Sequence, residues 1–311
     1  MTPAAAPRSP LAGVFPVLCT PFDELGAVDL GSLDRLADFV LASGASGLTV
    51  GGVASEVHKL ADEERRAIVE RVLARAGARP DGGAPVWVGS GHQSTELVIA
   101  HSLHAQRHGA AGVMVMPPFV ARPSLAQLAT FFRDLDAAIE LPIMIQDAPL
   151  VSGLHLPADW LLAVAEQCPH VRAVKVEAPP TGPKIAELAR RAGGRLALFG
   201  GLGGSNLAAE LERGAAGTLP AAAFPELHVR IVGLSRAGRV GEAAALHRRA
   251  TPLIRFVAQS VEWGYHAVKR LLVRRGVIAT AAVRRPTTGF HEPDGAELDA
   301  LWQEFERGAA A

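Results

Sequence analysis

Eight short apolar runs, each followed by a longer amphipathic stretch, restrict the folds open to this chain more than any other feature. The runs are Val14–Cys19, Gly47–Val50, Val86–Gly89, Gly112–Met116, Pro142–Gln146, Val171–Val176, Leu196–Phe199 and Gly217–Leu219. Each is almost continuously apolar, as strands of a parallel sheet buried on both faces must be. Eight βα units between Gly13 and Pro220 predict an α/β fold that closes into a (β/α)8 TIM barrel. A doubly wound open sheet is the alternative, but no G-x-G-x-x-G follows the first run. Beyond Pro225 only helical periodicity remains. The expected organisation is a disordered leader over 1–12, a catalytic barrel over 13–224, and C-terminal helices packed on the barrel over 225–311.

The intervening stretches carry helix signals. Ser32 is placed to cap a helix in which Leu33, Leu36, Ala37, Val40 and Leu41 share a face, with Gly44 ending it. Asp62, Glu63 and Glu64 put negative charge on the first turn of the next helix, where the dipole favours it. Ser205 is read as the cap of a helix carrying Leu207 and Leu211 and closed by Gly214.

Charge removes whole classes of partner. The 31 basic side chains balance 31 acidic ones, so neither nucleic acid nor an anionic membrane surface is an expected partner. No stretch approaches the roughly 18 apolar residues of a membrane span. The residues from Met1 to Pro10 lack the apolar centre of a signal peptide. Cys19 and Cys168, far apart in sequence, suggest neither a disulfide framework nor a zinc knuckle, which leaves a cytoplasmic location as the simplest expectation.

In a barrel of this kind the chemistry lies at the C-terminal ends of the strands. Of the four lysines, Lys59, Lys184 and Lys269 fall in helices or loops among other charges, whereas Lys175 sits inside the strand-like run Val171–Val176. A lysine inside a barrel strand is desolvated, and desolvation favours the neutral amine, a nucleophile toward carbonyls. The alternative is a structural lysine paired with Glu56 or Glu177. The Gly51-Gly52-Val53-Ala54-Ser55-Glu56 loop after the second strand offers backbone N–H groups suited to a carboxylate. The stretch from Gly200 to Gly204 after the seventh strand suits a carboxylate or a phosphate equally. His92 follows the third strand and is a candidate for lining the site. His101, His104 and His108 have helical spacing that invites a metal reading, but they fall on the third helix and no carboxylate completes a set, so no metal is expected. The one tyrosine, Tyr265, lies among the C-terminal helices, which predicts no phenolic relay at the strand ends.

Several of these residues together resemble a known family. Gly13-Val14-Phe15-Pro16 with Thr20-Pro21-Phe22, the Gly51–Glu56 loop, Ala173-Val174-Lys175, Gly200-Gly201 and Gly214-Ala215-Ala216-Gly217 are similar to the landmarks of the dihydrodipicolinate synthase / N-acetylneuraminate lyase family. The resemblance covers nearly the whole chain after the leader. It implies a barrel enzyme whose Lys175 forms a covalent Schiff base with a 2-keto acid, with the substrate carboxylate on the Gly51–Glu56 loop, no cofactor, and a homotetramer. Two departures stand out. Val53 and Ala54 replace the family's Thr or Ser, and Gln146 in Gln146-Asp147-Ala148-Pro149 stands where the family carries its catalytic tyrosine. A second tyrosine, which a neighbouring subunit supplies in part of the family, would fall near Pro118-Phe119. Ser55-Glu56, GVMVMPP at 112–118, PIMIQDAP at 142–149 and Lys175-Val176-Glu177 look like a narrower branch, the L-2-keto-3-deoxyarabonate dehydratases.

That branch implies dehydration of a 2-keto-3-deoxy sugar acid. The iminium on Lys175 would acidify the C3 protons, and an enamine would then expel the C4 hydroxyl as water. Glu177, two residues beyond Lys175, points to the same side of a strand, with Glu56 and His92 as further acid–base candidates. Ser55 and Gln146 would bind substrate hydroxyls, the backbone of Val53, Ala54 and Ser55 the carboxylate, and Gly200 and Gly201 would complete the binding surface. The alternatives are a pyruvate-dependent aldolase or synthase, a sugar-acid-binding barrel without turnover, and a phosphate-sugar isomerase.

Overall fold

The structure is a computed structural model that describes residues 11–79 and 82–310, with no side-chain description beyond 307. The leader expected at the N-terminus falls, up to residue 10, outside the described residues. Leu11 is already buried, inside the barrel against Phe15 and Val17.

Among the described residues, eight parallel strands form one sheet. They are β1 (Gly13–Val14), β2 (Leu48–Val50), β3 (Val86–Gly89), β4 (Gly112–Val115), β5 (Ile143–Asp147), β6 (Val171–Val176), β7 (Ala197–Gly200) and β8 (Gly217–Thr218). Their spatial order is β1-β8-β7-β6-β5-β4-β3-β2. Val17 bridges Thr49 on one side and Ala221 on the other, which closes the ring. The first strand is much shorter than the apolar run Val14–Cys19 suggests. Pro16 has no N–H for a ladder, so on the β8 side the Phe15 N–H gives the last bond, to Thr218 O, before the Val17 N–H resumes pairing at Pro220 O.

Among the described residues, eight helices cover the outside: α1 (Leu30–Ala42), α2 (Asp62–Gly77), α3 (Thr95–Arg107), α4 (Leu125–Ala138), α6 (Ala158–Gln167), α7 (Thr181–Ala192), α8 (Leu207–Glu212) and α9 (Pro225–Arg236), with the single turn α5 (Pro149–Ser152) after β5. Asp29, not Ser32, caps α1: its carboxylate accepts the Ser32 N–H, and Ser32 lies buried one turn in. Asn206 rather than Ser205 precedes α8, because Ser205 closes the 3-10 turn Leu202–Gly204. The three acids expected at the start of α2 are in its first turn. Although it begins at 225, α9 packs on β1 and α8 as the eighth barrel helix, so the appendage is α10 (Val240–Val257), α11 (Val261–Arg274) and α12 (Glu292–Ala310). Among the described residues no helix is long and apolar enough to cross a membrane.

Strand alternation divides the core in two. Outward side chains such as Val113, Val115, Ile143, Ile145, Val174 and Val176 join the helices in one large cluster. Inward ones, among them Phe15, Trp87, Met114, Met144, Ala173, Phe199 and Leu219, fill the barrel interior. Gly112 is part of that packing, since a Cβ there would meet the Trp87 ring at 2.5 Å. Each large apolar side chain buried this way contributes about 1.5–3 kcal/mol. The plug fills the lower barrel and leaves the inward positions at the strand ends as the floor of a cavity.

Candidate active site

The inward parity that places Met144 and Ala173 in the plug continues upward to Gln146 and Lys175, which pair in register across β5 and β6. Both are buried, as is Glu177 just past the end of β6. Lys175 Nζ lies 3.3 Å from Glu177 Oε1. Gln146 Nε2 donates to Glu177 Oε2 at 2.8 Å, and the Leu202 N–H donates to Oε1 at 3.1 Å. One carboxylate thus holds an amine, an amide and a backbone N–H, and its orientation is fixed from three sides.

These three side chains open into a cavity of about 420 Å³, within the usual range for small-molecule sites. Val53 and Ala54 form one wall, Leu202 and Gly203 another, and Val257 to Val261 with Gly264, Tyr265 and Val268 the roof. A second cavity, of about 560 Å³, adjoins it and shares Gly52, Val53, Met114, Gln146, Val151 and Val261.

The expected site residues divide accordingly. Lys175, Glu177, Gln146, Val53 and Ala54 come together at the first cavity. Val53 and Ala54 begin a 3-10 turn, Val53–Ser55, whose first N–H groups have no acceptor within the turn itself. His92 lines the second cavity, with Nδ1 accepting the Ser94 N–H at 3.1 Å. Ser55 is turned away, its hydroxyl donating to Leu18 O at 2.6 Å inside the core.

Glu56 is also withdrawn from the chemistry. It is fully buried at φ 55°, Lys269 Nζ donates to it at 2.5 Å, the Arg284 N–H donates at 3.1 Å, and Lys59 Nζ lies 3.6 Å away. The left-handed backbone turns its side chain under the loop toward α11, leaving Glu177 as the acid at Lys175.

Gly200 and Gly201 make room for acids and do not line either cavity. A Cβ on Gly201 would lie 2.3 Å from Glu177 Oε1, and one on Gly200 would lie 1.9 Å from Glu210 Oε2. The same geometry disfavours a phosphate on this loop, since the Leu202 N–H is already given to Glu177.

Three features escaped the sequence. Tyr265 reaches the site after all: α11 lies over the 3-10 turn, and the phenol donates to Val53 O at 2.9 Å. Burial pushes the phenol well above its usual range, with the Glu56 charge adding to the effect. Its sequence signal is the apolar stripe Val261, Gly264/Tyr265, Val268, although nothing in the stripe says what it faces. Glu210 on α8 is buried and accepts the Thr181 hydroxyl at 2.6 Å. Burial pushes its carboxyl up to about 7, the Thr181 bond opposes the rise, and the Glu177 charge adds to it. Asp147, the outward neighbour of Gln146, is held 2.6 Å from Lys184 Nζ, yet burial still raises its carboxyl above the usual range.

Comparison with known proteins agrees with the barrel fold. The family described as the dihydrodipicolinate synthetase family matches residues 10–304. The L-2-keto-3-deoxyarabonate dehydratase of Azospirillum brasilense is 35% identical over 97% of this chain and 96% of its own. The 4-hydroxy-tetrahydrodipicolinate synthase 1 of Streptomyces coelicolor is 31% identical over 94% and 93%. Among solved structures, dihydrodipicolinate synthase from Rhodopseudomonas palustris superposes with a TM-score of 0.88 at 30% identity, covering 95% of this chain and 98% of that one.

Proposed function

We propose that this chain, which belongs to the dihydrodipicolinate synthetase family, is a Schiff-base-forming lyase that removes water from a 2-keto-3-deoxy sugar acid. The observation that carries the reading is the Lys175–Glu177–Gln146 constellation on the floor of a small-molecule cavity, in a chain whose relatives include a keto-deoxy sugar acid dehydratase.

The substrate carboxylate binds the free N–H groups that begin the Val53–Ser55 turn, and Tyr265 steadies that turn through Val53 O. Lys175 Nζ attacks the C2 ketone, and the carbinolamine loses water to give the iminium. Glu177, 3.3 Å from Nζ, takes a C3 proton to leave an enamine. The enamine electrons expel the C4 hydroxyl, which departs as water with the proton returned by Glu177. Hydrolysis of the conjugated iminium then frees Lys175 and the dehydrated keto acid. Every step uses side chains of this chain and water, with no cofactor. The adjoining cavity, with His92 and Gln93 on its lining, receives the polyol end of the substrate. The working form is a homotetramer in the cytoplasm.

The test is mass spectrometry after borohydride reduction, with pyruvate and then with L-2-keto-3-deoxyarabonate, on the wild type and Lys175→Ala. The expected result is a covalent adduct on Lys175 with both acids and loss of one water from the sugar acid. Pyruvate released from the sugar acid would replace dehydration with carbon–carbon cleavage. Absence of any adduct on the wild type would overturn the Schiff-base reading.

A further inference from the structure

On the far side of α2 and α3 from the cavity, the fold completes a set of donors that is incomplete in the sequence. Glu70 on α2 meets His104 and His108 on α3 and its C-cap, with one donor atom of each within 4.8 Å of the others. Glu70 Oε1 is 3.3 Å from His104 Nε2 and 3.8 Å from His108 Nε2. A tetrahedral zinc with bonds of about 2.0–2.1 Å holds its donors roughly 3.4 Å apart, so these separations are close to the edges of such a site.

Two further observations point to a metal. His108 Nδ1 lies 2.9 Å from His104 O. A carbonyl only accepts, so Nδ1 is the donor in that contact, and Nε2 is left facing Glu70 as the nitrogen available to a metal, the arrangement in which the other ring nitrogen of a ligating histidine is held by a carbonyl. His104 Nε2 is buried and makes no hydrogen bond, with Glu70 Oε1 at 3.3 Å as its polar neighbour. His101, the first histidine of the helical series, is not a member; its Nε2 turns to Asp62 at 3.7 Å.

We propose that Glu70, His104 and His108 form a binding site for a divalent transition-metal ion, zinc or nickel in preference to magnesium, that clips α2 to α3 on the outer face of the barrel. Two imidazoles and one carboxylate suit a borderline cation, and the half-exposed Glu70 and His108 leave the fourth position to water. None of the three lines the Lys175 cavity, so the site is separate from the proposed chemistry.

The experiment is calorimetric titration of the EDTA-stripped full chain with zinc, nickel and magnesium chlorides at pH 7.5, followed by thermal unfolding with and without zinc. The expected result is one zinc or nickel per chain, no magnesium heat, and a melting temperature that rises with zinc concentration. His104→Ala and His108→Ala should each weaken binding at least tenfold and Glu70→Gln several-fold, whereas His101→Ala stays within twofold. Borohydride trapping at Lys175 reports that each variant is folded. Failure of the wild type to bind zinc or nickel, or binding that ignores the His104 and His108 substitutions, would overturn the proposal.

Discussion

Replacing Glu177 with glutamine separates holding Lys175 from moving protons. The amide has the shape of the carboxylate. Its oxygen can still accept the Leu202 N–H, and Gln146 can turn its own amide to face the new NH2. Two hydrogen bonds to a charged acceptor become neutral ones, a loss of about 1 kcal/mol each. Against this, a buried charge is removed that currently opposes ionisation of Asp147 and Glu210. Lys175, buried 3.3 Å from this carboxylate, also loses its counter-charge, so the cost is up to about 3–5 kcal/mol, and adduct formation at Lys175 checks that the variant folds.

The chemical consequence is larger. A positioned acid–base group contributes about 10²- to 10⁴-fold in rate, equivalent to roughly 2.7–5.5 kcal/mol of barrier. Borohydride trapping reads imine formation and steady-state kinetics reads water loss, so the two steps can be followed separately. The expectation is that the Lys175 adduct with pyruvate persists in Glu177→Gln while kcat for the sugar acid falls by about 10²–10⁴. Turnover within tenfold of the wild type would refute the reasoning and reduce Glu177 to the ion-pair partner of Lys175.

Further substitutions probe the surroundings. Glu56→Gln breaks a fully buried pair with Lys269, which should cost about 3–5 kcal/mol in urea unfolding while the folded protein still traps pyruvate; a well-folded but inactive variant would return Glu56 to the chemistry. Tyr265→Phe removes one bond to Val53 O, about 1 kcal/mol, and should raise KM by up to about fivefold with kcat little changed; a hundredfold fall in kcat would make the phenol a proton carrier. Glu210 is raised from 4.5 to about 7, so its contribution to stability is complete below the ordinary carboxyl range and lost as pH rises through about 7. Glu210→Gln should therefore gain up to about 3 kcal/mol relative to the wild type between pH 5 and pH 8 in urea titrations, and a pH-independent difference would refute that account.

The strands were legible because burial on both faces leaves little choice but apolar residues, and Lys175 stood out as the break in one of them. What could not be read was the partner of each residue across the fold. Glu56 and Lys269 are separated by 213 positions; in the sequence Glu56 reads as an acid–base candidate or a partner of Lys175, and Lys269 as a helix charge among others. Glu70 lies on a different helix from His104 and His108, so the histidine series read alone lacks its carboxylate. Tyr265 was placed correctly on a C-terminal helix, but only docking of α11 on the Val53–Ser55 turn brings its hydroxyl to the strand ends. The glycines after β7 were read as ligand contacts. Their lack of a Cβ serves two protein carboxyl groups instead.

Those carboxyl groups explain why Lys175 and Glu177 face each other rather than other partners. Three acids crowd the end of β6: Glu177 inward, Asp147 outward on β5, and Glu210 from α8. Two are answered outside the barrel, Asp147 by Lys184 and Glu210 by the Thr181 hydroxyl together with a carboxyl that burial inclines to keep its proton up to about pH 7. Alternation along β5 and β6 hides Asp147 and Val176 behind the sheet while it turns Gln146, Lys175 and Glu177 into the cavity. Of the three, only Glu177 meets the lysine, and Gln146 and the Leu202 N–H orient it without supplying a competing charge. A tyrosine in place of Gln146 could exchange a proton with the substrate. A glutamine cannot, so the amide aims Glu177, and in the proposed mechanism proton transfer falls to that carboxylate.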